Sequence, residues 1–243
     1  ATFTEAMTTT PKIAISGVST IAATNMSVGG STSIWTYAYT APEGDGTETI
    51  ALSVGTDAAG NVVTSTPTAG SQFTVDNTAP SLTQITAITT PGNDSTPSYI
   101  FTTNEAGTIS TNISQGFSTG ASASTGSSQT ITFNTLPDGT YASKTVTVTD
   151  TAGNAGSITI PTFVIETVLP TITNVTSSTA NGIFTTGDVI SIQVTFAEAV
   201  TVTGTPQLTL ETGGNDAVVD FASGSGGTAV SYTHLRAHET TRH

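Results

Sequence analysis

The sequence predicts an all-β chain of tandem β-sandwich modules. Three observations predict it: a composition dominated by threonine, strand-length runs broken by turn signals at short intervals, and an internal repeat of about 90 residues. Of 243 residues 56 are threonine, against two methionines and one tryptophan. A β-branched side chain loses rotamer freedom in a helix and suits a pleated, half-exposed surface. Twenty-four glycines and ten prolines punctuate this background, and the length leaves room for two or three domains with separate cores.

The balance of charge narrows the partners. Four basic residues stand against 17 acidic ones, a formal net charge of −13, with only 9% of residues charged. Phosphate binding needs clustered Lys and Arg, so no nucleic-acid partner is expected. No stretch approaches the roughly 18–20 apolar residues of a spanning helix, so no membrane span is expected. Cysteine is absent, which removes disulfides and thiolate metal sites; rigidity must come from the core or from a bound cation. Ala1-Thr2-Phe3 reads as the middle of a strand and not as a leader, so the native start is expected elsewhere.

Self-comparison locates the repeat. Asp45-Gly46-Thr47 precedes the turn Asp57-Ala58-Ala59-Gly60-Asn61, and 93 residues later Asp138-Gly139-Thr140 precedes Asp150-Thr151-Ala152-Gly153-Asn154 at the same spacing. Asp76-Asn77-Thr78-Ala79-Pro80 is matched 90 residues later by Glu166-Thr167-Val168-Leu169-Pro170. A short strand ending in Glu recurs at Glu5, Glu105 and Glu198. The implied organisation is a first module over 1–76 lacking its opening strand, a complete module over 77–166, a third over 167–230 that breaks off, and a tail over 231–243.

Within the complete copy the expected strands are Ser81–Thr89, Ser98–Thr103, Thr108–Ile113 and Gln129–Asn134, then a closing hairpin of Tyr141–Thr149 and Ser157–Ile165. Turns every 8–12 residues or so are the sandwich pattern. In the hairpin turn Asp150 can bond its own backbone and Gly153 can take positive φ. Before the turn the apolar residues are Val146 and Val148 in one copy, and Ile50, Leu52 and Val54 in the other. The 93-residue offset puts these sets on opposite parities. A β-bulge at Gly55 is expected to restore the inward face.

With these motifs in view, the chain resembles the bacterial immunoglobulin-like repeats of giant extracellular adhesins and surface proteins. The resemblance covers roughly residues 1–228 and rests on the ordered recurrence of Asp57–Asn61 with Asp76–Pro80 and of Asp150–Asn154 with Glu166–Pro170. The stretch from Ile172 through Gly187-Asp188 to Gly204–Leu210 looks like a related repeat. The resemblance implies tandem immunoglobulin-like β-sandwich modules and helps the case for calcium between them. Glu166 departs from the family's usual Asp, and Glu48 stands where the complete copy has Tyr141, a tyrosine-corner candidate. The tail from Ser231 holds all three histidines and both arginines, and it resembles translated sequencing adaptor. It is expected to make no packed strand. His234 and His238 would share a helix face, but without the metalloprotease order and inside that tail.

The candidate metal ligands are Asp57, Asn61, Asp76, Glu105, Asp150, Asn154, Glu166 and Glu198. Calcium takes roughly six to eight oxygens from carboxylates, amide and backbone carbonyls, and water. If hairpin turn and outgoing linker share one end of a module, Asp57 and Asn61 approach Asp76, and Asp150 and Asn154 approach Glu166. Glu105 and Glu198 would add to these from the following module. The competing reading makes Asp57 and Asp150 Asx-turn residues and leaves the linker acids solvated. Trp35, Tyr37 and Tyr39 alternate on one strand face, read as a core stripe in preference to a sugar platform.

No His lies in the modules and there is no Cys, so no Ser–His or Cys–His nucleophile can be assembled, and the chain is expected not to be an enzyme. Two functions fit: a spacer or stalk region of a large secreted or cell-surface adhesin, partnered by neighbouring modules of the same chain; or an accessory or carbohydrate-binding module region of a secreted polysaccharide-acting enzyme, binding carbohydrate or separating domains. Either places it outside the cell or on its surface.

Overall fold

The computed structural model describes residues 1–64, 66–185, 187–211 and 216–235. These are strands, turns and loops throughout, without a helix among the described residues; no helix is therefore long and apolar enough to cross a membrane. The chain divides into two compact units, Ala1–Thr167 and Val168–His243. The first unit contains two separate hydrophobic clusters.

The first cluster is enclosed by β1 (Lys12–Ser16), β2 (Thr20–Asn25), β3 (Ser27–Ser31), β4 (Ile34–Thr36), β5 (Gly46–Ser53) and β6 (Gln72–Val75). Four of these form an antiparallel sheet in the order β2-β1-β5-β6, while β3 and β4 pair separately. Ile13, Ile15, Met26, Trp35 and Leu52 are buried together, with Tyr37 and Tyr39 packed against them. The aromatic alternation thus faces the core, and the Trp35 indole N–H donates to Thr32 O at 2.9 Å.

Period-2 alternation puts Glu48, Ile50 and Leu52 on the inner face of β5. Glu48 is fully buried. Its Oε1 accepts from the Tyr39 hydroxyl at 2.7 Å, the Ser19 hydroxyl at 2.9 Å and the Ser19 N–H at 3.0 Å, while Oε2 has no partner. The Tyr39 hydroxyl above all holds the carboxyl below its usual range, against the opposing effect of burial.

The parity conflict is settled one residue from the expected bulge. Val54 has φ +76° and Gly55 N donates back to Ser53 O at 3.0 Å, a γ-turn of the rare positive-φ kind. It lies just beyond the end of β5, whose pairing with β1 runs without a break. Val54 is thereby turned out to 49% exposure, and the chain re-enters the Asp57 turn in phase.

The second cluster is a β-sandwich. Its strands are β7 (Leu82–Thr86), β8 (Ser98–Thr103), β9 (Gly107–Thr111), β10 (Ser122–Ala123), β11 (Ser128–Thr132), β12 (Gly139–Tyr141), β13 (Lys144–Thr149), β14 (Ala155–Ile160) and β15 (Phe163–Ile165). One sheet has the order β10-β9-β13-β14 and the facing one β11-β8-β7. Tyr99, Phe101 and Ile131 from one, and Ile109, Val146, Val148 and Ile160 from the other, fill the space between, most of them fully buried.

The expected closing hairpin is not continuous. Ser143 takes φ +55° and Pro161 interrupts the return strand; proline has no N–H for the ladder. Consequently β13 pairs with β14, while β12 pairs with β15 in a separate ribbon. Tyr141 behaves as a tyrosine corner: its hydroxyl donates to Pro137 O at 2.8 Å, and its ring stacks on Phe163 at 4.9 Å.

The second unit is one antiparallel sheet of β16 (Ile172–Ser177), β17 (Val189–Val200), β18 (Gln207–Leu210), β19 (Ala217–Ser223) and β20 (Gly227–Leu235), in the order β16-β17-β20-β19-β18. Val194, Val219 and Val230 are its buried apolar residues among those described. This corrects the expectation that the tail makes no strand. Ser231–Leu235 belong to the central β20, paired to β17 from Gln193↔Ser231 to Val189↔Leu235. Tyr232 also meets Phe221 edge-on at 6.5 Å. The assumed boundary at Ser231 therefore falls inside a strand. The reason is local: Val230, Tyr232 and His234 alternate with Ser231 and Thr233, and such a run satisfies a strand's period whatever its origin. Residues 236–243, including His238, lie outside the described residues.

Candidate metal centre

Both Asp-x-x-Gly-Asn turns close on their own aspartate. Asp150 Oδ1 accepts from Gly153 N at 2.7 Å and Asn154 N at 2.9 Å, and Oδ2 accepts from the Asn154 amide at 2.9 Å. Asp57 repeats this with Ala59 N, Asn61 N and the Asn61 amide, at 2.9, 2.8 and 2.7 Å. These donors stabilise the anion, the side-chain amide foremost, and both carboxyls sit below their ordinary value. The Asx-turn reading therefore describes both residues.

Asp150 does a second thing. Among the described residues, Asp76, Glu105 and Asp150 each offer a carboxylate oxygen, and these lie within 4.8 Å of one another. The three are brought from separate places: Asp76 follows β6, Glu105 sits between β8 and β9, and Asp150 follows β13. Asn154 ties two of them together, its amide donating to Asp76 O at 3.1 Å as well as to Asp150. Asn104 ties the third to the start of β7, donating to Glu105 Oε1 at 3.2 Å and accepting from Ser81 N at 2.6 Å.

Three carboxylates at this spacing repel. The described residues contain two lysines and no arginine, and Lys144 is at the opposite end of β13 from Asp150. The donor set is all hard oxygen, half-buried and without sulfur or imidazole, and it fits a hard divalent cation.

The expected pairings need correction. Asp150 and Asn154 approach the incoming linker at Asp76, not the outgoing one at Glu166. From Asn154 to Glu166 the chain runs 12 residues through β14 and β15, roughly 40 Å at ~3.3 Å per extended residue. A hairpin tip and the end of its second strand cannot share one end of a sandwich. For the same reason Asp57 and Asn61 stand by the start of the first module, where Thr8 Oγ1 donates to Asp57 O at 3.0 Å, and not by Asp76. Glu105 joins the cluster as expected, while Asp57 and Glu166 stand outside it and Glu198 lies in β17 of the second unit.

Sequence reading missed the residues that hold the outgoing linkers. Asp45 Oδ1 accepts from Asn77 N at 2.7 Å, and its Oδ2 accepts from the Thr78 hydroxyl. Asp138 Oδ1 accepts from Thr167 N at 3.1 Å and the Thr167 hydroxyl at 2.8 Å. The Asn77 amide adds bonds to Gly44 O and Pro42 O. The signal was present, since the Asp-Gly pairs recur at a fixed 93-residue offset, but a turn explained them without a partner. No family model matches the chain, and no curated protein is similar enough to count as a match.

Proposed function

We propose that the chain is a non-catalytic spacer region of a large secreted or cell-surface bacterial adhesin-like protein, its modules immunoglobulin-like and joined through a calcium ion held by Asp76, Glu105 and Asp150. The observation that carries this reading is that the linker after β6 is gripped from both sides. Asp45 holds Asn77 and Thr78 from the first cluster's side, and Asn154 and Asp150 meet Asp76 from the second's. A linker gripped by two modules suits a part whose task is to set distance and direction. The accessory-module alternative loses its platform, because Trp35 is buried and indole-bonded to its own turn.

Calcium would offset the repulsion of the three carboxylates in the ordered arrangement alone. At a hundred times Kd such selective binding stabilises by about 2.7 kcal/mol, and a site of Kd about 10⁻⁴ M is typical of extracellular modules. Titration calorimetry with calcium, and hydrogen exchange at Asn77, Thr78 and Asn154 with calcium and with chelator, test it. The expected result is one site lost in Glu105→Gln, and slower exchange at the linker only when calcium is present. Absence of binding heat together with unchanged exchange would overturn the calcium reading.

A further inference from the structure

The second sandwich admits the chain at one end and releases it at the other. Its entry lies with the Asp150 turn, since the Asn154 amide donates to Asp76 O at 3.1 Å. Its exit lies beyond β14 and β15, where Asp138 Oδ1 accepts from Thr167 N at 3.1 Å. Tension on the chain therefore runs along the strands and not across them.

One segment joins entry to exit directly. β7 pairs with β8 as far as Thr86↔Ile100, Ile88 is buried in the core, and the chain then crosses to the ribbon of β12 and β15. There Gly92 bridges Ile165 in parallel. Gly92 N donates to Val164 O at 3.0 Å, and Glu166 N donates to Gly92 O at 2.9 Å. Thr90 adds a third bond, its Oγ1 accepting from Val164 N at 2.9 Å. That hydroxyl stands where a backbone carbonyl would continue a parallel ladder. Among the described residues this is the one parallel pairing, and every pair of named strands is antiparallel.

Direction decides how these bonds meet a pull. The entry segment is drawn back towards Ser81, while β15 is drawn forward towards Thr167. Parallel segments drawn this way slide along each other, so their three bonds are strained together. The antiparallel pair of β12 and β15 is the opposite case. Gly139 and Ile165 face each other at the exit, so a pull between those ends opens the ribbon one pair at a time. Forced unfolding follows the rate of crossing the unfolding barrier, not equilibrium stability. A few bonds in the line of force therefore count for more than their share of folding energy.

We infer that the second sandwich bears tension along the chain, and that the parallel splice of Thr90 and Gly92 onto Val164 and Glu166 is the clamp that resists it. The direction of load rests on the spacer reading, whereas the clamp itself uses backbone and one hydroxyl and needs no cation.

Single-molecule pulling on the full chain tests this. The sequence has no cysteine, so pairs introduced at exposed positions set the direction of force. Ala79→Cys with Leu169→Cys loads the second sandwich from entry to exit, and Thr135→Cys with Leu169→Cys peels β15 from β12. Both are pulled in chelator, so that failure of the calcium reading leaves the outcome untouched. The unfolding force is expected to be about twofold higher or more from end to end than in the peeling direction. Thr90→Val removes the hydroxyl acceptor and should lower the end-to-end force by about a third, one bond of the three, with the peeling force level. Thr90→Ser restores the acceptor and should restore the force. A general loss of packing would lower both forces alike. Equal forces in the two directions of the parent chain overturn the clamp, and so does a Thr90→Val effect of the same size in both.

Discussion

Val54 offers a stability test in which the usual order of substitutions should invert. It is a β-branched residue at φ +76°, 49% exposed, at the centre of the turn that Gly55 N closes onto Ser53 O. Such a conformation costs an L-residue about 1–3 kcal/mol, and glycine avoids most of that. Truncation loses about 0.7–1 kcal/mol of side-chain burial, taking half the burial value of a valine. Glycine adds about 0.5–1 kcal/mol of chain entropy. Val54→Ala keeps the strain and loses the burial, so it should destabilise by somewhat under 1 kcal/mol. Val54→Gly loses both small terms but sheds the strain, and should match or exceed the parent, standing about 1 kcal/mol above the alanine variant. In a unit of 167 residues that separation is about 2–4 °C in thermal midpoint. Scanning calorimetry of the three proteins measures it. A glycine variant as unstable as the alanine one, or more so, would refute the strain reasoning and leave the turn as an unstrained fit.

Two further outcomes are expected in the same unit, beside the calcium titration. Tyr141→Phe keeps the stack on Phe163 but deletes the bond to Pro137 O, so denaturant unfolding should show a loss of about 1 kcal/mol; an unchanged midpoint would remove the corner's role. Asp150 and Asp57 have carboxyls lowered from 3.8, mainly by the Asn154 and Asn61 amides. A lowered folded value means the stabilisation is complete above the unfolded pKa and is lost as pH falls through the folded one. Thermal midpoints should therefore drop only below the ordinary carboxylate range, and less steeply in Asp150→Asn; a drop that begins near neutrality would contradict this.

Much of the β architecture was legible because it is written in short-range chemistry. Thr145–Thr149 alternates half-buried threonine and buried valine as its sequence alternates, and β-branched residues leave few other options for such runs. The Asp-x-x-Gly-Asn turns were readable for a similar reason: the aspartate bonds amides two to four residues on, and Gly153 takes φ +101°. Composition also narrowed the ligand class, since residues 1–167 hold neither cysteine nor histidine and their acids can offer a cation only oxygen.

Tertiary structure decided the rest, wherever the answer depended on which end of a sandwich a residue reaches. Asp150 meets Asp76 and not Glu166 because strand length separates a hairpin's tip from its exit, which motif spacing along the chain does not encode. Asp45 and Asp138 looked like turn residues until the linker amides they bind were brought across from about 30 positions away. The tail's composition set it apart, yet Ser231–Leu235 takes the middle of a sheet because β17 and β19 present it with backbone partners. Turns and strand faces follow from neighbours a few residues apart, so the sequence by itself determines them; ligand clusters and linker clamps follow from long-range pairing, and exist only once the sheets have closed.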